Sequence, residues 1–444
     1  MNKGKFIFYS KAMRCGMAFL LMALVSCVTS SEANDPSSKK MEIFVTTTVP
    51  NYRIPAIGCT QKGTLIAVAD YRYGGADIGY GAVDLHCRIS HDNGATWGEE
   101  LELTHGNHNM ECKPDNDAAY GDACIVADRI SDRILLWSCA GNIGFPDGKR
   151  EHHQGMARFY SYDEGVTWSD VEHPDEQFYS LFDQSAIGPI RSMFIGSGKI
   201  HQSRYTKVGD YYRLFCSGLV KDKGGHNCNF VFYSDDFGET WNVLGSVDTP
   251  AIPNGDEPKV EELPDGSVVC SSRIKGGRSF NIFTFSDSHK AQGTWGVSAI
   301  SHSENKGVTA QGNSCNGEII IVPAVRKIDK KKTFVALQSV PFGGGDSTDG
   351  RDNVGIFWKD LSDKKDWDTP EHFARDWDGR YPISCLRSAY STMCMQADGR
   401  LAFLYEETIH DVDFSIVYEP LTLESITDGQ YRYDRRSRRT VGRD

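Results

Sequence analysis

The chain has 444 residues, with 48 Lys and Arg against 60 Asp and Glu, a formal net charge of −12. Charged residues at 24% and aromatics at 11% exclude a disordered chain, and 44 glycines without a G-X-Y period exclude collagen. The acidic balance argues against a nucleic-acid partner, which needs a basic face to neutralise phosphate, and turns attention to small molecules and glycans.

Lys3, Lys5, Lys11 and Arg14 precede an apolar run from Met17 to Val25. That run is too short to span a bilayer as a stable helix but has the shape of a secretory signal over residues 1–26. It ends in Leu24-Val25-Ser26-Cys27, which resembles the lipobox of bacterial lipoproteins. The expectation is an exported protein, periplasmic or at the outer membrane or cell surface, with a lipid anchor on Cys27. Residues 27–40, ending in NDPSSKK, read as a polar tether.

From residue 41 onward the chain is a series of short strands. Runs such as TLIAVADYR, RILLWSCA, YYRLFCSGL, SFNIFTFSD, EIIIVPAV and RLAFLYEET are rich in Val, Ile, Phe and Tyr, bounded by Gly, Asp, Asn or Pro. No long segment shows helical periodicity. The eleven cysteines after Cys27 contain no CxxC pair and make neither a disulfide framework nor a zinc ribbon. His105, His108 and Cys112 come nearest to a metal cluster, on a polar loop, and no metal or organic cofactor is expected.

Three turns repeat the pattern S-x-D-x-G-x-T-W: Ser90 to Trp97, Ser161 to Trp168 and Ser234 to Trp241. In such a turn Asp and Ser bond the amides, Gly takes a positive φ, and Trp packs between sheets. A degenerate copy runs from Ser286 to Trp295, and a worn one lies near Asp360 to Trp367. The first three start 71 and 73 residues apart, a spacing that suits four-stranded blades with long loops. The turns resemble Asp-boxes, which specify architecture and not chemistry. They predict an all-β fold, a single six-bladed β-propeller of four-stranded antiparallel blades over 41–444. A strand near Glu42 to Thr48 should close the ring against one near Phe414 to Glu419. The basic tail from Arg432 to Arg443 reads as a solvated terminus.

Candidate chemistry lies between the turns. Tyr52-Arg53-Ile54-Pro55 places a guanidinium at an apolar strand end, where burial demands an anion. Asp77 sits on a Gly-rich loop in YRYGGAD, behind Arg72, with Asp84 as its rival. Glu257 opens EPKVEELPDGSVVCSSR, which ends at Arg273, and Tyr390 opens YSTMCMQADGRLAFLYE, which ends at Glu406. With the three turns, these segments resemble the bacterial exo-α-sialidases (neuraminidases), retaining glycoside hydrolases, over about Tyr52 to Glu406.

The resemblance implies sialylated glycans as substrates, on glycoproteins, glycolipids or oligosaccharides. It makes Arg53, Arg273 and Arg351 a clamp for the sialic acid carboxylate, with Arg387 competing for the third place. Guanidinium suits that task because it stays charged and offers two parallel donors. A carboxylate nucleophile would face the substrate's own carboxylate, and a neutral phenol avoids the repulsion if a base takes its proton. By the match, Tyr390 is that nucleophile, Glu257 its activating carboxylate, and Glu406 the partner that holds Arg53. Asp77, 24 residues past Arg53, becomes the general acid and base. Arg72 would contact the ring's 4-hydroxyl, and Asp122, in YGDACIVAD, would lie near the N-acetyl group. A trans-sialidase, an enzyme releasing an anhydro sugar, and an inactive sialic-acid-binding lectin stay open as alternatives.

Overall fold

A computed structural model describes residue 1 and residues 39–49, 51–313 and 315–435. The signal segment, Cys27, most of the 27–40 tether and the tail beyond residue 435 lie outside the described residues. The apolar runs quoted above all form strands, and the α-helices among the described residues have only four or five residues.

The strands assemble into six separate sheets, the blades of a propeller. The first is built from Tyr52–Cys59, Leu65–Arg72 and Val83–Ser90, and the second from Tyr120–Ala127, Ile134–Ala140 and Gly155–Ser161. His201–Val208, Tyr211–Lys221 and Asn227–Ser234 form the third; Pro258–Glu262, Val268–Ile274 and Gly277–Asp287 form the fourth. Ile319–Arg326, Lys332–Pro341 and Val354–Asp360 form the fifth, and Ser388–Met395, Leu401–Ile409 and Val412–Leu421 the sixth. The outer strand of the sixth blade is Met41–Phe44, with Met41 opposite Tyr418 and Phe44 opposite Ile416. The two ends of the chain therefore close the ring, at the strands expected.

The blades are not uniformly four-stranded or antiparallel. The third has six strands and the fourth and fifth have five. Gly198–Lys199 pairs in parallel with Cys124 and Ile125 of the second blade. The expected solvated tail is also corrected at its start, because Tyr431–Tyr433 pairs with Ala324 to Arg326 as an added strand. Burial of Tyr431, whose ring lies 5.7 Å from that of Trp358, outweighs the polarity around it.

The core lies between blades. Ile66, Val68 and Leu85 of the first pack on Ile125 and Leu136 of the second, while Phe44, Ile57 and Ala67 meet Leu404 and Tyr418 across the closing seam. The repeated turns lock these interfaces. In the first, the Ser90 hydroxyl accepts from Gly94 N at 2.9 Å, and Asp92 accepts from Thr96 N at 2.8 Å and from its hydroxyl at 2.6 Å. The same bonds recur around Asp163 and Asp236. Gly94, Gly165 and Gly238 have φ of 80°, 85° and 88°, the left-handed region that favours glycine. A Cβ on them would collide with Tyr418, Ile66 and Leu135, each on the preceding blade. The degenerate copy keeps its tryptophan, whose Nε1 donates to Leu244 O at 2.8 Å across to the third blade.

These turns follow the third strand of the first three blades and mark one end of the propeller. The other end, where inner strands begin and second strands finish, collects Arg53, Arg72, Glu257, Arg273, Tyr390 and Glu406.

Candidate active site

Three inner strands bulge where they carry polar side chains. Pairing shifts between Arg53 and Ala56, between Gly121 and Cys124, and between Ser388 and Ser391. Ile54 and Asp122, within two of these bulges, have φ of 50° and 55°, an unfavourable backbone for side chains of this kind. Each is held by a buried carboxylate. Ile54 N donates to Glu406 Oε1 at 2.8 Å, and Asp122 N to Asp70 Oδ1 at 2.8 Å.

Glu406 is fully enclosed and organises one half of the site. It pairs with Arg53 through Nε at 2.8 Å and Nη2 at 3.3 Å, and its second oxygen accepts from Tyr390 N at 3.1 Å. Burial works against the Arg53 charge, but the Glu406 carboxylate outweighs it and raises the guanidinium pKa. Arg53 and Arg351 lie over the Tyr390 ring, 5.9 and 5.7 Å from its centroid.

The Tyr390 hydroxyl donates to Glu257 Oε1 at 2.7 Å, while Arg273 Nη1 donates to Glu257 Oε2 at 2.7 Å and to the phenol oxygen at 3.3 Å. Burial, reinforced by Glu257, pushes the Tyr390 pKa well above its ordinary value, against the pull of Arg273 and Arg351. At neutral pH Tyr390 is thus a phenol donating to a base, with cations set around the oxygen that would carry charge if the proton moved.

The other half gathers around Arg72. Its Nη2 lies 3.0 Å from Asp70 Oδ2 and 2.7 Å from Asp77 Oδ1. Carboxylate oxygens of Asp70, Asp77 and Asp122 all fall within 4.8 Å of one another. Burial, then the neighbouring Asp70 and Asp77 charges, raise the Asp122 pKa well above the usual range; burial lifts Asp70 to about 6 despite Arg72. A cation alone would fit that donor set, but Arg72 already supplies the positive charge there.

The structure thus brings together all nine residues singled out in the sequence: Arg53, Arg72, Asp77, Asp122, Glu257, Arg273, Arg351, Tyr390 and Glu406. The rivals fall elsewhere. Asp84 is buried and occupied by Thr104, Gly106 N and His108, at 3.0, 2.7 and 2.7 Å. That bond also explains His108 as a loop anchor. Arg387 is spent on Asp349 and Asp413, at 2.9 and 2.5 Å. Sequence reasoning missed Asp70. Its signal was a carboxylate inside the apolar run LIAVADYR, two residues before an arginine and therefore on the same face of the strand.

A six-bladed propeller carrying a guanidinium cluster, a phenol–carboxylate pair and an exposed acid at one end has the features of a glycan-processing enzyme. The chain belongs to the BNR repeat-like domain family, whose model matches residues 63–403, and the curated relatives it matches include sialidases, which are glycoside hydrolases. It is 27% identical over 378 residues to a sialidase of Paraclostridium sordellii, covering 84% of each chain. Its fold is similar to that of a Hadza microbial sialidase, with a TM-score of 0.64 at 21% identity over 85% of this chain and 67% of that one. An intramolecular trans-sialidase from Ruminococcus gnavus also shares the fold, with a TM-score of 0.64 at 18% identity over 88% of this chain and 99% of that one.

Proposed function

We propose that the protein is an exo-α-sialidase that hydrolyses terminal sialic acid from sialoglycans by a retaining, two-step mechanism. The observation that carries this reading is the 2.7 Å bond from the Tyr390 hydroxyl to Glu257, made beneath Arg53, Arg273 and Arg351. A lectin needs the guanidiniums but has no use for a phenol aimed at a base.

In the first step the three arginines hold the substrate carboxylate and Asp77 gives its proton to the aglycone oxygen as that bond breaks. Tyr390 passes its proton to Glu257 and bonds to the anomeric carbon, giving a covalent sialyl-enzyme. In the second, Asp77 takes a proton from water as the water oxygen displaces Tyr390, and Glu257 returns the phenol proton. Arg72 and Asp122 border the ring on the Asp77 side. No cofactor enters either step.

Tyr390→Phe removes one oxygen and leaves the ring that Arg53 and Arg351 lie over. We expect its kcat on sialyllactose to fall by at least about 100-fold, measured as free sialic acid released. Activity within a few-fold of the parent would sink the assignment of Tyr390 as nucleophile.

A further inference from the structure

Arg273 carries two tasks in the proposed reaction, meeting the substrate carboxylate and holding the Tyr390–Glu257 pair. A long side chain with several rotatable bonds does neither reliably unless its far edge is fixed. The residue that fixes it is on a loop, distant in sequence and outside the motifs.

Asn313 clasps the guanidinium twice. Its Oδ1 accepts from Arg273 Nε at 3.1 Å, and its main-chain oxygen accepts from Nη2 at 2.8 Å. Its Nδ2 donates to Asp256 Oδ2 at 3.0 Å. The other oxygen of Asp256 accepts from the backbone N–H of Glu257 at 2.9 Å, and Glu257 in turn accepts from Arg273 Nη1. The four residues close a ring of hydrogen bonds that passes through both the base and the guanidinium. Only a short amide fits the Asn313 position, because one side faces a donor and the other a carboxylate.

Charge explains why the amide matters. Asp256 Oδ2 lies 3.8 Å from Arg273 Nε, close enough to attract the guanidinium directly. Asn313 stands between them and converts that attraction into a bond to itself. Without it, Arg273 is drawn to Asp256 and away from Glu257 and Tyr390. We propose that Asn313 and Asp256 are positioning residues that set the orientation of Arg273, and through it the geometry of the nucleophile and its base. This inference rests on the sialidase reading.

The test uses Asn313→Ala, Asp256→Asn, Asn313→Asp and the reciprocal double variant Asp256→Asn/Asn313→Asp, assayed on sialyllactose beside the parent chain. In the double variant the amide at 256 donates to the carboxylate at 313, which still accepts from Arg273. Expected are losses in kcat of about 10- to 100-fold for Asn313→Ala and Asn313→Asp, with melting temperatures held within about 2 °C. The double variant should recover to within about threefold of the parent, which a merely structural role does not predict. The inference is overturned if Asn313→Ala keeps kcat within twofold, or if the double variant is no better than Asn313→Asp. A parent chain that releases no sialic acid overturns the sialidase reading, and this inference with it; an active parent with indifferent variants overturns this inference alone.

Discussion

Asp77 and Asp70 share one guanidinium but live in different surroundings. The Asp77 side chain is 58% exposed, while that of Asp70 is wholly enclosed behind Arg72. In the proposed reaction the acid must reach the leaving oxygen of a bulky aglycone, and of these two carboxylates Asp77, on its loop, is the exposed one. Asp70 instead holds Arg72 and the bulge at Asp122, which makes it structural support for the proposed acid. The leaving group gives a prediction. Asp77→Asn should cut kcat/KM on sialyllactose by about 100- to 10,000-fold but far less on an aryl sialoside, whose phenolate leaves without a proton. Equal losses on both substrates would show that Asp77 does not act as the acid. The residues legible in the sequence were those within compact strand–turn–strand motifs, such as Glu257 with Arg273 and Tyr390 with Glu406. Asp70 and Asn313 escaped because their partners, Asp122 and Asp256, lie 52 and 57 residues away on other elements. Nothing local marks those long-range pairings, and the only local sign was the place of Asp70 two residues before Arg72.

At the scale of elements, the closing blade joins strands from opposite ends of the chain and encloses charge as it does so. Lys40 pairs with the buried Glu407 and lies 5.8 Å from the Tyr405 ring centroid, while the Tyr405 hydroxyl is 3.5 Å from Glu419 Oε2. Burial raises the Glu419 pKa to about 7, with Lys40 opposing and Glu407 adding to the rise. The folded state therefore binds a proton that the unfolded chain releases near pH 4.5. The stability this contributes is full below that pH and is lost as pH rises through about 7. Glu419→Gln removes the titration, so its stability relative to the parent should improve by on the order of 1–3 kcal/mol between pH 5 and pH 8. Denaturant unfolding at the two pH values measures this, and a constant difference would contradict it. The seam itself was legible, since both strands read as apolar runs near the two ends. The added strand Tyr431–Tyr433 was not, because three residues among arginines carry too little periodicity to signal pairing.

For the molecule as a whole, the proposed action of an acidic protein on anionic glycans poses no conflict once distance is considered. Exterior charges are screened over about 8–10 Å in physiological salt, while the site acts at contact. Even there, Arg53, Arg72 and Arg273 are paired with Glu406, Asp70, Asp77 and Glu257, so selection rests on oriented donors more than on net positive charge. The six-bladed count was legible from the spacing of three turns because each turn seats a glycine against the preceding blade. The unequal strand numbers were not, since short edge strands depend on neighbours that only the closed ring supplies. The central claim is that one end of this ring hydrolyses sialosides with retention, and a proton NMR time course of α2,3-sialyllactose turnover tests it most directly. The account predicts the α-anomer of free sialic acid as first product, followed by slow conversion to the β-anomer. First appearance of the β-anomer, an anhydro sugar in its place, or no released sugar would contradict it.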